Sequence, residues 1–166
     1  MRIENRIKTK IKICGLRRRE DILAVNESGP DYCGFIVEYP KSRRSIDRTT
    51  LRELVRGLRE KIVPVGVFVN ATKELVAELL EEGTIQIAQL HGQEDESYIR
   101  ELKTYTDKLI IKAFSIKTEE DVKRAIRSEA DYILLDQGAG GTGETFDWSL
   151  VPSIKRPWFL AGGLGC

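Results

Sequence analysis

The stretch Asp131–Trp148 reads DYILLDQGAGGTGETFDW. An apolar run closes on a carboxylate, Asp136, and glycines follow at 138, 140, 141 and 143. A short apolar run of this kind suits a strand buried on both faces, as in a parallel sheet covered by helices. An acid ending such a strand is rigidly held yet faces the mouth of a sheet or barrel. The glycines let backbone N–H groups approach an anion closely. A rigid acid beside an anion-contacting loop points to chemistry on a small phosphorylated molecule.

The pattern recurs outward from this stretch. Strand-like runs lie at Ile11–Cys14, Tyr32–Val37, Ile62–Val69, Ile85–Leu90, Leu109–Phe114, Tyr132–Asp136 and Trp158–Ala161. Helix-like segments fall between them, roughly at Arg18–Ser28, Thr49–Leu58, Lys73–Glu82, Asp95–Tyr105 and Glu119–Ser128. In the third of these, Leu75, Val76, Leu79 and Leu80 recur at helical spacing and mark one apolar face. Alternating strands and helices predict an α/β fold, either a doubly wound sheet or a (βα)8 TIM barrel. The barrel is preferred because polar or glycine residues cluster just after nearly every strand, where barrel active sites sit. No linker or low-complexity stretch divides the chain, so residues 1–166 are expected to form one domain. A closed barrel would need a further helix, strand and helix after the seventh strand, roughly 40 residues. The expectation is therefore an incomplete barrel, truncated after its seventh strand, with unpaired edges on the first and seventh strands.

Composition narrows the chemistry. Lys and Arg number 27 against 26 Asp and Glu, a net charge of +1, so no global field points to nucleic acid or membrane. No apolar run reaches about 18 residues, and the start MRIENRIKTK lacks the apolar core of a signal peptide. The cytoplasm is the expected compartment. Cys14, Cys33 and Cys166 have spacings that fit no zinc or disulfide framework, and one histidine, His91, excludes a histidine-rich metal site. Acid–base work falls mostly to carboxylates, lysines or a thiol.

Cys14 ends the first strand in KIKICGL. It is either a small buried apolar residue or, with the Lys12 ammonium on the same face, a general base. Asp136 is either a cap on the following turn or the acid facing that base across the barrel mouth. In the loop YPKSRR, Arg43 or Arg44 has the bidentate fork that grips a carboxylate, and position in the loop does not choose between them. Gly162 and Gly163 follow the seventh strand, where barrels often grip phosphate, and Gly140, Gly141 and Gly143 offer similar donors. His91 in QLHG either touches substrate or holds structure by hydrogen bonding. Cys33 lies inside the second strand and reads as core. Trp148 is expected to pack under the glycine loop.

Taken in order, KICGL (Lys12–Leu16), DYCGFIVEYPKSRRSI (Asp31–Ile46), VGVFVN (Val65–Asn70), QLHG (Gln89–Gly92), IIKAFS (Ile110–Ser115), DYILLDQGAGGTGETFDW and LAGGL (Leu160–Leu164) resemble the phosphoribosylanthranilate isomerases of tryptophan biosynthesis. The resemblance spans nearly the whole chain. It implies a cofactor-free Amadori rearrangement of N-(5-phosphoribosyl)anthranilate to 1-(2-carboxyphenylamino)-1-deoxyribulose 5-phosphate. By resemblance Asp136 is the general acid, Cys14 the general base and Arg44 the partner of the anthranilate carboxylate. The loop holding Gly140, Gly141 and Gly143 would cover the substrate, and Gly162 and Gly163 would form part of the phosphate site. His91 joins the substrate-binding set. A homodimer or an association with another enzyme of the pathway is expected, with no nucleic-acid or membrane partner. The truncation expected above implies weak or absent turnover.

The rival readings are another phosphosugar-converting barrel enzyme and an inactive fragment or scaffold partner. Indole-glycerol phosphate synthase would show a lysine-rich catalytic set and a longer N-terminal extension. The histidine-pathway isomerase would carry an aspartate where Cys14 stands. Fluorescence loss on conversion of phosphoribosylanthranilate separates an enzyme from a fragment.

Overall fold

The computed structural model describes residues 9–136 and 154–162. The strands are β1 (Lys12–Cys14), β2 (Tyr32–Val37), β3 (Ser45–Ile46), β4 (Val63–Phe68), β5 (Ile87–Leu90), β6 (Leu109–Ser115), β7 (Tyr132–Asp136) and β8 (Trp158–Ala161). Five helices cross between them: α1 (Arg19–Ser28), α2 (Arg48–Arg56), α3 (Lys73–Glu81), α4 (Glu96–Tyr105) and α5 (Glu119–Ile126). The strands pair in parallel in the order β1-β2-β4-β5-β6-β7-β8, with β3 attached to β2. Each helix returns the chain to start the next parallel strand, as a βα barrel requires. Among the described residues, β1 and β8 end this path and do not pair with each other, so the barrel is open there.

The helices begin where side chains satisfy the free N–H groups of their first turns. Asp47, Thr72, Asp95 and Thr118 accept from the backbone N–H of Thr50, Leu75, Tyr98 and Asp121. Asp47 therefore starts α2 at Arg48, one residue before the pattern of apolar positions suggests. Ile85 belongs to the core but not to β5, because its N–H closes onto Leu79 O at 3.1 Å and seals the end of α3.

Three carboxylates in these first turns are held below their usual value of 3.8, chiefly by backbone N–H donors. The donors are Arg17 N–H for Asp21, Thr50 N–H for Asp47 and Lys117 N–H for Asp121. A depressed folded value stabilises the fold above 3.8, and that stability is lost as pH falls through the folded value. Asp121→Asn should therefore flatten the dependence of Tm on pH below 3.8 relative to the unaltered chain. Parallel curves for the two proteins would contradict this.

Side chains of paired residues in parallel strands share a face, so the register sorts the sheet into two layers. Tyr32, Val65, Ile87, Ile111 and Leu134 pack together on the inner face, with Phe159 edge-on to Tyr32 at 5.4 Å between ring centres. Phe35, Phe68, Leu90, Ile110 and Leu135 occupy the opposite face under the helices. Cys33 lies fully buried in that outer layer, and burial pushes its thiol up to about 11, which leaves it unreactive core.

Candidate active site

Cys14 is opposite Gly34, two residues on from Tyr32, and so lies on the inner face at the carboxyl end of β1. Its side chain is exposed at this strand end. Lys12 shares that face. A Cβ on Gly34 would lie 2.7 Å from Cys14 Sγ and 2.8 Å from Lys12 Nζ. One point above Gly34 is thus in contact with both the thiol and the ammonium, and the missing side chain leaves them room. The chain then turns out of β1 at Gly15, whose φ of 92° favours glycine.

Arg44 reaches the same strand end from the loop after β2. Its Nη1 lies 3.5 Å from Cys14 O, and its side chain covers Gly15 so closely that a Cβ there would sit 2.7 Å from Nη1. The carbonyl of the neighbouring Arg43 is tied instead to Arg17 Nη1 at 2.8 Å. The two-residue strand β3 anchors this loop, since Glu38 N–H donates to Ile46 O at 2.9 Å and Tyr39 N–H to Ser45 Oγ at 2.8 Å. No apolar run announces β3; its two residues are held by backbone pairing with β2 and by the Ser45 hydroxyl.

Asp136 ends β7 opposite Ser115 and Ala161, two residues beyond the inner-face Leu134. It therefore faces the same interior as Cys14. Its carboxylate Oδ2 is 3.4 Å from His91 Nε2, with both side chains partly exposed. His91 follows β5 directly, and its other ring nitrogen, Nδ1, is 2.9 Å from the Gln89 side-chain amide nitrogen. Gly162 follows β8 with φ 76°. Gly140, Gly141, Gly143, Gly163 and Trp148 lie outside the described residues.

Beneath the His91 loop is a buried ion pair absent from the sequence reading. Lys112 Nζ lies 3.2 Å from Glu94 Oε2 and donates to Gly92 O at 2.8 Å. Glu94 in turn accepts from the backbone N–H of Asn70 at 2.6 Å and of Gly92 at 2.8 Å. The pair ties the loops after β4 and β5 together on the helix side of the sheet. A lysine inside the apolar run LIIKAFS was the signal that could have found it.

The arrangement brings a thiol, an ammonium, a guanidinium and a carboxylate with its imidazole to the carboxyl ends of parallel strands. Such a set can move protons within a small anionic substrate. No group of three His, Cys, Asp or Glu side chains suited to a metal ion occurs among the described residues.

Comparison with known proteins places the chain in a family. The sequence profile of N-(5'-phosphoribosyl)anthranilate isomerase matches residues 11–166. The chain belongs to the phosphoribosylanthranilate isomerase family. The N-(5'-phosphoribosyl)anthranilate isomerase of Endomicrobium trichonymphae is 43% identical over 159 residues, covering 93% of this chain and 77% of that protein. The crystal structure of phosphoribosyl anthranilate isomerase from Thermotoga maritima superposes with a TM-score of 0.84 at 37% identity, covering 95% of this chain and 78% of that one. A phosphoribosyl anthranilate isomerase in complex with reduced 1-(o-carboxyphenylamino)-1-deoxyribulose 5-phosphate gives a TM-score of 0.80 at 36% identity, with coverages of 95% and 77%. The isomerases of this family serve tryptophan biosynthesis, and the parallel βα architecture described above superposes on their structures.

Proposed function

We propose that this isomerase converts N-(5-phosphoribosyl)anthranilate with Asp136 as general acid and Cys14 as general base. One observation carries the assignment: both side chains lie at the carboxyl ends of their strands on the one inner face. Asp136 gives its proton to the ribose ring oxygen as the C1–O bond opens, leaving a Schiff base. Cys14 removes the proton from C2, and the resulting enolamine tautomerises to the ketone. The two groups act on different atoms, so neither has to serve as both acid and base. Arg44, beside Cys14, pairs with the anthranilate carboxylate, a match of planar fork to planar carboxylate. Gly162 contributes to holding the phosphate; by the resemblance alone Gly163 joins it there, and the loop of Gly140, Gly141 and Gly143 covers the substrate.

The test is loss of substrate fluorescence with enzyme in excess, so that weak turnover is still read. Conversion that falls about 10²-fold or more in Cys14→Ser supports the thiol as base. No conversion by the folded chain, or near-normal conversion by the variant, overturns the assignment. The working compartment is the cytoplasm; no helix among the described residues is long and apolar enough to cross a membrane. Ile11 and Ile13 are 59% and 38% exposed beside and within the edge strand β1, which favours pairing of two copies there. Sedimentation equilibrium reads that state directly.

A further inference from the structure

Gln89 is out of place chemically. It sits between Val67 and Ile111 across the sheet, two residues after the inner-face Ile87, and is only 2% exposed. Its amide oxygen has no hydrogen-bond partner among the described residues. An apolar side chain would fill this position at lower cost, since an unpaired buried acceptor loses its hydration and gains nothing. Among the described residues its side-chain amide makes one polar contact, 2.9 Å from the amide nitrogen to His91 Nδ1.

That contact bears on the tautomer of the imidazole. An amide nitrogen has no lone pair to offer, so it must donate, and Nδ1 must accept. The ring's proton then belongs on Nε2, the nitrogen 3.4 Å from the Asp136 carboxylate. We propose that Gln89 and His91 are positioning residues for the acid: Gln89 selects the Nε2–H form of His91, which presents a donor to Asp136. The inference rests on the reading of Asp136 as the proton donor. When Asp136 passes its proton to the ring oxygen, negative charge appears on the carboxylate as the C1–O bond breaks. The Nε2–H donor strengthens as that charge grows, so it favours the transition state over the bound substrate, and His91 gives up no proton. The other tautomer would turn a lone pair toward the carboxyl group and hold back its proton.

His91 is the only histidine in the chain, so a histidine-labelled sample yields one imidazole by ¹⁵N NMR. The neutral ring should carry its proton on Nε2, Gln89→Glu should move it to Nδ1, and Asp136→Asn should shift the Nε2 resonance. These spectra need no turnover, so they stand even where the full chain fails to convert substrate and the functional reading itself falls. With conversion, Gln89→Met should lower the single-turnover rate about 10-fold or more while leaving the half-saturating substrate concentration within about twofold. Its Tm should hold or rise, which a purely structural glutamine would not allow. In an Asp136→Asn background the same change should add nothing. A ring protonated on Nδ1 in the unaltered chain, an Nε2 resonance indifferent to Asp136→Asn, or a loss confined to substrate affinity would overturn the proposal. Should Gln89→Glu fail to fold, the first spectrum and the Asp136→Asn shift still decide it.

Discussion

Replacing Asp136 by Asn should slow single-turnover conversion by about 10²–10⁴-fold, the usual contribution of a positioned general acid. The amide is nearly the same size as the carboxyl group it replaces, and the backbone bond from Ile116 N–H to Asp136 O at 2.8 Å is untouched. The strand end therefore keeps its place, and only the transferable proton is lost. Folding monitored by Tm should change little, because the side chain stands at the sheet mouth and not in either packed layer. Conversion within a few-fold of the unaltered chain would show that ring opening draws its proton from elsewhere.

Breaking the Lys112–Glu94 pair from one side should cost stability heavily. Both side chains are almost fully buried, at 7% and 1% exposure. Glu94→Gln leaves the ammonium in a dry setting without its counter-charge, and such losses run to about 3–5 kcal/mol. Burial already draws the Lys112 pKa below 10.5, with Glu94 opposing it. A lysine depressed in the folded state binds fewer protons than the unfolded chain between its folded value and 10.5, so its contribution to stability rises with pH across that window. Without Glu94 the depression deepens and the window extends downward, so the stability of Glu94→Gln should climb more steeply on the alkaline side. The paired change Lys112→Met with Glu94→Gln should recover much of the loss, because no buried charge remains. Denaturant titration of Glu94→Gln, of Lys112→Met and of the double variant, across pH, reads all of this. Simple addition of the two single losses in the double variant would mean that the groups do not act as a pair.

Elements of the fold differed in how plainly they could be read. Tyr32–Val37, Tyr132–Asp136 and Trp158–Ala161 match their strands residue for residue, because each apolar run is bounded by turn or charged residues. The start of α2 did not, since the Asp47 cap draws the helix back to Arg48 and a cap is a hydrogen bond, not a periodicity. Strand β3 was missed altogether; two residues carry no period. Arg43 and Arg44 were indistinguishable along the loop; in the fold Arg44 is the one that lies over Gly15, just beyond β1.

The site shows the same division. Chain order alone put Cys14 and Asp136 at strand ends and the glycines after them, because strand length and burial follow from runs of neighbouring residues. The identity of the family was also legible there, since its motifs are local. Which groups meet was decided only by the tertiary structure. Lys112 and Glu94 are separated by helix α4, and His91 and Asp136 by strand β6 and helices α4 and α5. Their meeting depends on the parallel register and on the way each helix returns the chain. Those depend on packing summed over the whole sheet, whereas a sequence pattern reports only on its own neighbourhood.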